Sequence, residues 1–223
     1  MNEVNYDKAY KHWSSVTSNV DGMLGGFEKL HSTDINSSKQ LLDDLNKKQL
    51  LTKFERALDC GSGIGRITKH LLLPKFNYVD MVDFAETFIE QSSKYIGAEG
   101  DSRIQNKFIE SLHTFKPKTK VYDLIWIQWV IGQLSDVDLT NFLRRCKKGL
   151  NKNGCIIIKD NVTSQDEGRI FDESDNSWTR PLSELRSIIE NADLNIVLER
   201  RQLFFPKNIF PVYMFVLKPS DIS

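Results

Sequence analysis

Ala57-Leu58-Asp59-Cys60-Gly61-Ser62-Gly63-Ile64-Gly65-Arg66 is a short apolar run closed by an acid, three alternating glycines and the start of a helical pattern. Glycine lets backbone approach a ligand closely and adopt φ > 0 without steric cost. The dinucleotide fingerprint G-x-G-x-x-G places its third glycine one position later, so it fits poorly. Asp59 argues the same way. A carboxylate beside the turn repels a pyrophosphate and attracts an ammonium, while Arg66, in the first helical turn, can receive a carboxylate with help from the positive helix end. A ligand bearing both groups is an amino acid, and S-adenosylmethionine carries one joined to adenosine. The next apolar run, Tyr78-Val79-Asp80-Met81-Val82, ends at Asp83. That is ~20 residues on, where an acid can take up ribose hydroxyls.

Outward from the turn, strands and helices alternate. Strands are expected at 55–60, 78–82, 104–109, 121–128 and 154–160, with helices at 65–73, 85–96 and 136–149. Pro74 and Gly154 punctuate them, and a Pro-containing loop joins the third and fourth strands. This alternation implies a parallel sheet covered on both faces. A helix at 181–192 and two strands, 195–203 and 211–218, follow, the last two pairing antiparallel across Pro206 and Pro211. Before the sheet, Tyr6–Val16 reads as a helix, Thr17–Gly26 as a loop of small residues, and Asp34–Leu50 as a helix capped at Thr33 or Asp34.

At 223 residues the chain suits one well-buried α/β domain, residues 1–223, with 1–50 as a helical extension. Thirty Lys+Arg balance thirty Asp+Glu, so no overall field draws the protein to nucleic acid or anionic lipid. Met1–Tyr10 lacks a signal-peptide core, and the apolar stretch Leu124–Ile131 is far below the roughly 18 residues of a membrane span. Three cysteines (60, 146, 155) without a Cys-x-x-Cys pair argue for a reducing cytoplasmic or nuclear compartment. The four histidines (12, 31, 70, 113) have no metal-ligand spacing, and no nucleophile–base arrangement is suggested.

Ligands in such sheets sit at the carboxyl ends of the strands. Three groups besides the glycine turn and Asp83 fall there. Trp126-Ile127-Gln128-Trp129 closes one strand, Trp126 reading as core or support and Trp129 as either support or ligand contact. Lys159-Asp160-Asn161 closes the next, as a surface turn or part of the site. Asp166, Glu167, Asp172, Glu173 and Asp175 form an acidic segment, by itself a solvated loop; directly after Asn161, it can select a cationic substrate.

With these landmarks the chain resembles the protein α-N-terminal methyltransferases, a class I S-adenosylmethionine-dependent family. The resemblance is carried most specifically by Val20-Asp21-Gly22-Met23-Leu24-Gly25-Gly26 and Ile127-Gln128-Trp129-Val130-Ile131-Gly132, and runs from about Trp13 to the carboxyl end. It implies a seven-stranded, mostly parallel sheet with its last strand antiparallel, helices on both faces and amino-terminal helices. It further implies methylation of the free α-amine of proteins that begin Xaa-Pro-Lys or Xaa-Pro-Arg once the initiator methionine is gone. Gly61, Gly63, Arg66, Asp83, Phe84, Leu112, His113 and Gln128 would then face the cofactor. Trp129 would pack on the substrate proline, Asn161 would lie beside the reacting amine, Asp172, Asp175 and Ser177 would hold the cationic third residue, and Trp13 and Leu24 would form the entrance. Asp175 and Asn161 are the candidate catalytic groups. Gln133 stands where the family commonly carries histidine, Phe210 where tyrosine is expected, and His113 where glutamine is familiar. Glutamine takes no proton near neutral pH, so proton removal falls to Asp175 or water. Two other readings share the cofactor half of this site: a small-molecule amine methyltransferase, and a non-catalytic binding protein.

Overall fold

The computed structural model of the protein describes residues 4–220. Its centre is a twisted sheet whose strands are β1 (Arg56–Cys60), β2 (Tyr78–Asp83), β3 (Ile104–Ile109), β4 (Tyr122–Gln128), β5 (Leu150–Thr163), β8 (Leu194–Arg201) and β9 (Val212–Pro219). The first five run parallel in the order β3-β2-β1-β4-β5, and β9 inserts antiparallel between β5 and β8. That is the expected seven-stranded sheet. Two further strands, β6 (Ile170–Asp172) and β7 (Ser177–Pro181), correct the reading of the acidic segment as a loop. They form a hairpin whose Phe171 and Trp178 rings lie 4.8 Å apart, and β7 extends the parallel edge of β5 through Val162 and Thr163.

Burial on both faces explains the near-continuous apolar runs of β1, β4 and β5. One face is covered by α3 (His31–Lys47), the turn after β1 and the end of α4 (Glu86–Ile96), packing Leu41, Leu42, Leu45 and Leu71 on Trp126 and Ile157. The other face carries α6 (Asp136–Gly149) and α7 (Leu182–Asn191), with Phe142, Leu143 and Ile189 against Ile125, Ile156 and Phe215. Ser135 caps α6 by accepting from the Asp138 amide.

Three local readings are corrected. The helix expected from Asp34 begins at His31 and ends at Lys47, so Asp34 lies inside it, fully buried, and neither it nor Thr33 is a cap. The small-residue loop contains a one-turn helix, α2 (Val20–Met23), capped by Asn19. The helix after the glycine turn is π-wound over Thr68–Leu72. At the amino end, the helix expected over Tyr6–Val16 is α1 (Tyr6–Ser15), which starts from an Asn5 cap and lies over the carboxyl ends of the strands. No helix among the described residues is long and apolar enough to cross a membrane.

Candidate functional site

The carboxyl ends of β1, β2 and β4 open into a cleft of two adjoining compartments, with empty volumes of about 650 and 640 Å³. Phe84, Val130 and Gln133 line both and mark their junction.

The glycine turn floors the second compartment. Gly61, Gly63 and Gly65 all have positive φ (69°, 53° and 86°), and the amides of Gly61 and Ser62 both donate to the Val82 carbonyl, fastening the turn to β2. A side chain at 61 would meet Val130 at 2.8 Å, so that position has no room for a Cβ. Asp59 lines this compartment but is anchored behind it, accepting from the Thr68 amide (3.0 Å) and hydroxyl (2.6 Å). Asp83 accepts from the amides of Gly63 (2.8 Å) and Ala85 (2.9 Å), one per oxygen. Each carboxylate oxygen keeps a second lone pair for a hydroxyl donor. Burial pushes both Asp59 and Asp83 up to about 6.

Arg66 and Gln128 are more constrained than their sequence positions suggest. Arg66 is buried, donates to Asp34 at 2.7 Å and holds its guanidinium 5.5 Å from the Trp129 ring centre. Gln128 donates from Nε2 to the same Asp34 carboxylate and accepts at Oε1 from Trp126 Nε1, so it faces the cleft with its polar atoms already engaged. Lys159 Nζ closes the group 2.5 Å from Asp34 Oδ1, with the Asp34 carbonyl and Ser38 hydroxyl as further acceptors. Burial alone would raise the Asp34 carboxyl, but Lys159 and Arg66 outweigh it and hold it below the usual carboxylate range. Two cations share one anion. The buried group therefore carries an excess positive charge, presented at the cleft by Arg66, where the carboxylate of an amino acid would neutralise it.

The first compartment takes Leu112 and His113 from the loop after β3 and is roofed by Tyr6, Ala9 and Tyr10 of α1. Tyr6 stacks directly on His113, with ring centres 4.2 Å apart and planes 14° off parallel, so the pair is closed on itself and forms an aromatic wall of the compartment. Trp13, Met23 and Phe88 shape the second compartment. Trp129 has φ 53°, a left-handed conformation that costs roughly 1–2 kcal/mol in a non-glycine residue. Its amide donates to the Lys159 carbonyl at 3.0 Å, which helps hold the ring at the rim of the cleft.

The acidic hairpin packs behind the cleft wall, and its Asp175 lines neither compartment but is bonded to Gln133, which lines both. Gln133 Nε2 donates to Asp175 Oδ2 at 3.3 Å, and Ser177 donates to Asp175 Oδ1 at 2.7 Å. Burial raises the Asp175 carboxyl. Leu24, Asn161, Asp172 and Ser177 line neither compartment: Leu24 is buried, Asn161 is half-buried opposite Val212, and exposed Asp172 is tied to Ser174. Asp160, next to Asn161, is a strut that accepts from the amides of Val130 and Ile131, and burial pushes it up to about 6.

The cleft residues not foreseen include Tyr6, Tyr10 and Met23, with Asp34 behind them, whereas Lys159, read as part of a surface turn or of the site, is a buried partner of Asp34. Tyr6, Ala9, Tyr10 and Trp13 lie at helical spacing on α1, and that stripe is the signal that would have found them.

A parallel sheet in this order, a glycine turn, an acid ending β2, an aromatic-walled compartment and an excess cation together define a class I S-adenosylmethionine-dependent methyltransferase. Comparison with known proteins carries this further. The profile of the family described as AdoMet dependent proline di-methyltransferase matches residues 1–218, and the chain belongs to that family. It is 52% identical over 215 residues to alpha N-terminal protein methyltransferase 1 of Caenorhabditis elegans, covering 96% of this chain and 91% of the relative. It is 49% identical over 214 residues to the human N-terminal Xaa-Pro-Lys N-methyltransferase 1, covering 96% and 95%. Among solved structures, a SAM-dependent methyltransferase of Leishmania major superposes with a TM-score of 0.88 at 31% identity, over 96% of this chain and 82% of that one. The Haemonchus contortus phosphoethanolamine N-methyltransferase 1, solved with S-adenosylhomocysteine, shares the fold at a TM-score of 0.71 and 18% identity, over 100% of this chain and 51% of that one.

Proposed function

We propose that this enzyme transfers methyl groups from S-adenosylmethionine to the free α-amine of proteins beginning Xaa-Pro-Lys or Xaa-Pro-Arg. The observation that carries the acceptor side is the bond from Gln133 to Asp175, which brings an acidic hairpin to the junction of the cofactor cleft. Identity near one half to the relatives named above supports the same reading.

Residues of both compartments fit the donor. Arg66 would receive its carboxylate, Asp59 would face its ammonium, Asp83 the ribose, and the compartment walled by Tyr6, Leu112 and His113 the adenine. Unpartnered buried polar atoms at Ser62 Oγ and Trp13 Nε1 in the second compartment support a polar occupant there. Once bound, the donor supplies an electrophilic methyl group on a sulfonium.

The chain's own part is to bring a neutral amine in line with that methyl. An α-amine has an unperturbed pKa of roughly 7.7–8.0, so part of it is already neutral at physiological pH, and a nearby sulfonium lowers the value further. Orientation then supplies much of the acceleration. Trp129 would guide the substrate proline, whose fixed φ directs the chain onward, while Asp175 and Asp172 draw the cationic third residue. A lysine side chain, near 10.4, is a poorer nucleophile here.

We place the enzyme in the cytoplasm or nucleus as one domain over 1–223. Cys60, Cys146 and Cys155 are free thiols, which supports a reducing compartment. Incubation with labelled S-adenosylmethionine and a panel of amino-terminal peptides, read by mass spectrometry, tests the acceptor. Xaa-Pro-Lys peptides are methylated at the α-amine and their acetylated forms are not. Methylation of the acetylated peptide on lysine would show that the acceptor atom is wrong.

A further inference from the structure

Gln133 is buried to 7% exposure in the short turn after β4, yet its Oε1 has no hydrogen-bond donor. Leaving a buried acceptor unpaired costs about 1–3 kcal/mol, so such an atom needs an explanation. Its orientation follows from its neighbour. Nε2 lies 3.3 Å from Asp175 Oδ2, and a flipped carboxamide would set oxygen against a carboxylate. Asp175 is itself held by Ser177. Oxygen is thereby turned away from the hairpin, on a side chain that lines both compartments at their junction.

That junction separates the compartment walled by Tyr6 and His113 from the glycine turn. A donor whose adenine lies in one and whose amino acid lies in the other has its sulfur between them, and the acceptor nitrogen must arrive at the same place. We infer that Gln133 is a positioning group for the reacting nitrogen: its Oε1 accepts one N–H of the substrate's terminal amine while Nε2 remains on Asp175. The inference rests on the reading of the acceptor as a peptide α-amine. A carboxamide accepts this bond without changing charge, so it aims the nitrogen rather than deprotonating it. The lone pair of the neutral amine forms the N–C bond, the C–S bond breaks with its electron pair passing to sulfur, and the methylated nitrogen carries the positive charge. It sheds a proton to water before any further round.

The test is a thermodynamic cycle measured by calorimetry with S-adenosylhomocysteine present. Two peptides are used, Ala-Pro-Lys-Arg and its Nα-trimethyl form, which has no N–H to give. Gln133→Met, of similar length but without the acceptor, weakens the free-amine peptide by about tenfold. It leaves the trimethyl peptide within about twofold of wild type. Equal weakening of both peptides would mean a merely structural role, and no change in either would mean that Oε1 serves nothing in the complex; each overturns the proposal. Wild-type protein, with glutamine side-chain carbonyls labelled with carbon-13, supplies a second readout independent of the variant's folding. The Gln133 Cδ resonance shifts with the free-amine peptide and stays with the trimethyl one, and identical shifts would overturn the inference. Failure of the free-amine peptide to bind wild-type protein at all would instead remove the peptide reading on which it stands.

Discussion

Arg66 Nη1 lies 2.7 Å from Asp34 Oδ2, joining the first turn after the glycines to a helix that precedes the sheet. Lys159, from β5, reaches the other oxygen of the same carboxylate. The amino-terminal segment is thus wired to the floor of the cofactor cleft by charge as well as by apolar packing.

Removing Asp34 leaves two buried cations without their anion. Asp34→Ala is expected to lower stability by about 3–5 kcal/mol, measured by chemical denaturation. Lys159→Met leaves Asp34 paired with Arg66 and costs less. It removes the excess positive charge, so S-adenosylhomocysteine binding weakens in calorimetry even though Lys159 does not line the cleft. Unchanged binding in that variant would show that the excess charge plays no part in holding the ligand.

Asp83 gives the cleft a pH dependence. Burial raises its folded-state carboxyl to about 6, above the ordinary 3.8, and Asp59 behaves alike. Above pH 6 both are ionised, available to ribose hydroxyls and to an ammonium; below it each takes a proton and that capacity is lost. Affinity for S-adenosylhomocysteine therefore falls as pH drops from 7 to 5, by about tenfold for each carboxylate required. Asp83→Asn flattens this profile to the part due to Asp59. An affinity independent of pH over that range would remove Asp83 and Asp59 from the binding account.

Most of the sheet was legible because its strands obey local rules. Apolar runs closed by acids mark β1 and β2, and the Ser135 cap with periodic Leu139, Phe142, Leu143 and Cys146 marks α6, whose bounds of 136–149 agree with the structure. Non-local pairing left no such mark. The hairpin of β6 and β7 is short, acidic and partly exposed, held by the Phe171–Trp178 contact and by its edge on β5. Asp34 is the sharpest case. An acid before an apolar periodic run reads as a cap, and only the arrival of Lys159 from 125 residues away makes it a buried ion. The glycine turn and Asp83 were readable because a tight strand-to-helix turn leaves its own residue types; the Tyr6–His113 stack pairs two distant segments and was half seen, through His113 alone.

The glycine turn can be separated into strain and crowding. Gly25 (φ 57°) has nothing within 4 Å of where a Cβ would stand, whereas at Gly61 (φ 69°) three Val130 atoms lie within 3.0 Å. Gly25→Ala is expected to cost roughly 1–2 kcal/mol from the left-handed backbone alone. Gly61→Ala adds overpacking of about 1–3 kcal/mol, because the branched, largely buried Val130 just past β4 has little room to move. Denaturation midpoints of the two variants compare the terms directly. Equal losses would mean that Val130 yields freely and that the turn needs glycine at 61 for its dihedral angles only.

In the proposed acceptor site Asp172 is an exposed carboxylate and Asp175 a half-buried one. Asp172 is fixed by Ser174, whose hydroxyl and amide hold it below the usual carboxylate range, so it is charged at all working pH values. Asp175 carries the contact to Gln133. If the pair reads the cationic third residue, replacing both by asparagine removes the attraction while leaving the glycine turn, Arg66 and Asp83 untouched. The expected result for Asp172→Asn with Asp175→Asn is a rise in KM for Xaa-Pro-Lys peptides of about tenfold or more, since charge-assisted hydrogen bonds are roughly twice as strong as neutral ones. S-adenosylhomocysteine affinity stays at the wild-type value, which separates a substrate effect from general disruption. Preference for Xaa-Pro-Lys over Xaa-Pro-Gln should collapse at the same time, because glutamine keeps the length and polarity of the third residue without its charge. A double variant that still prefers lysine, with unchanged turnover, would place the recognition of that residue elsewhere in the cleft.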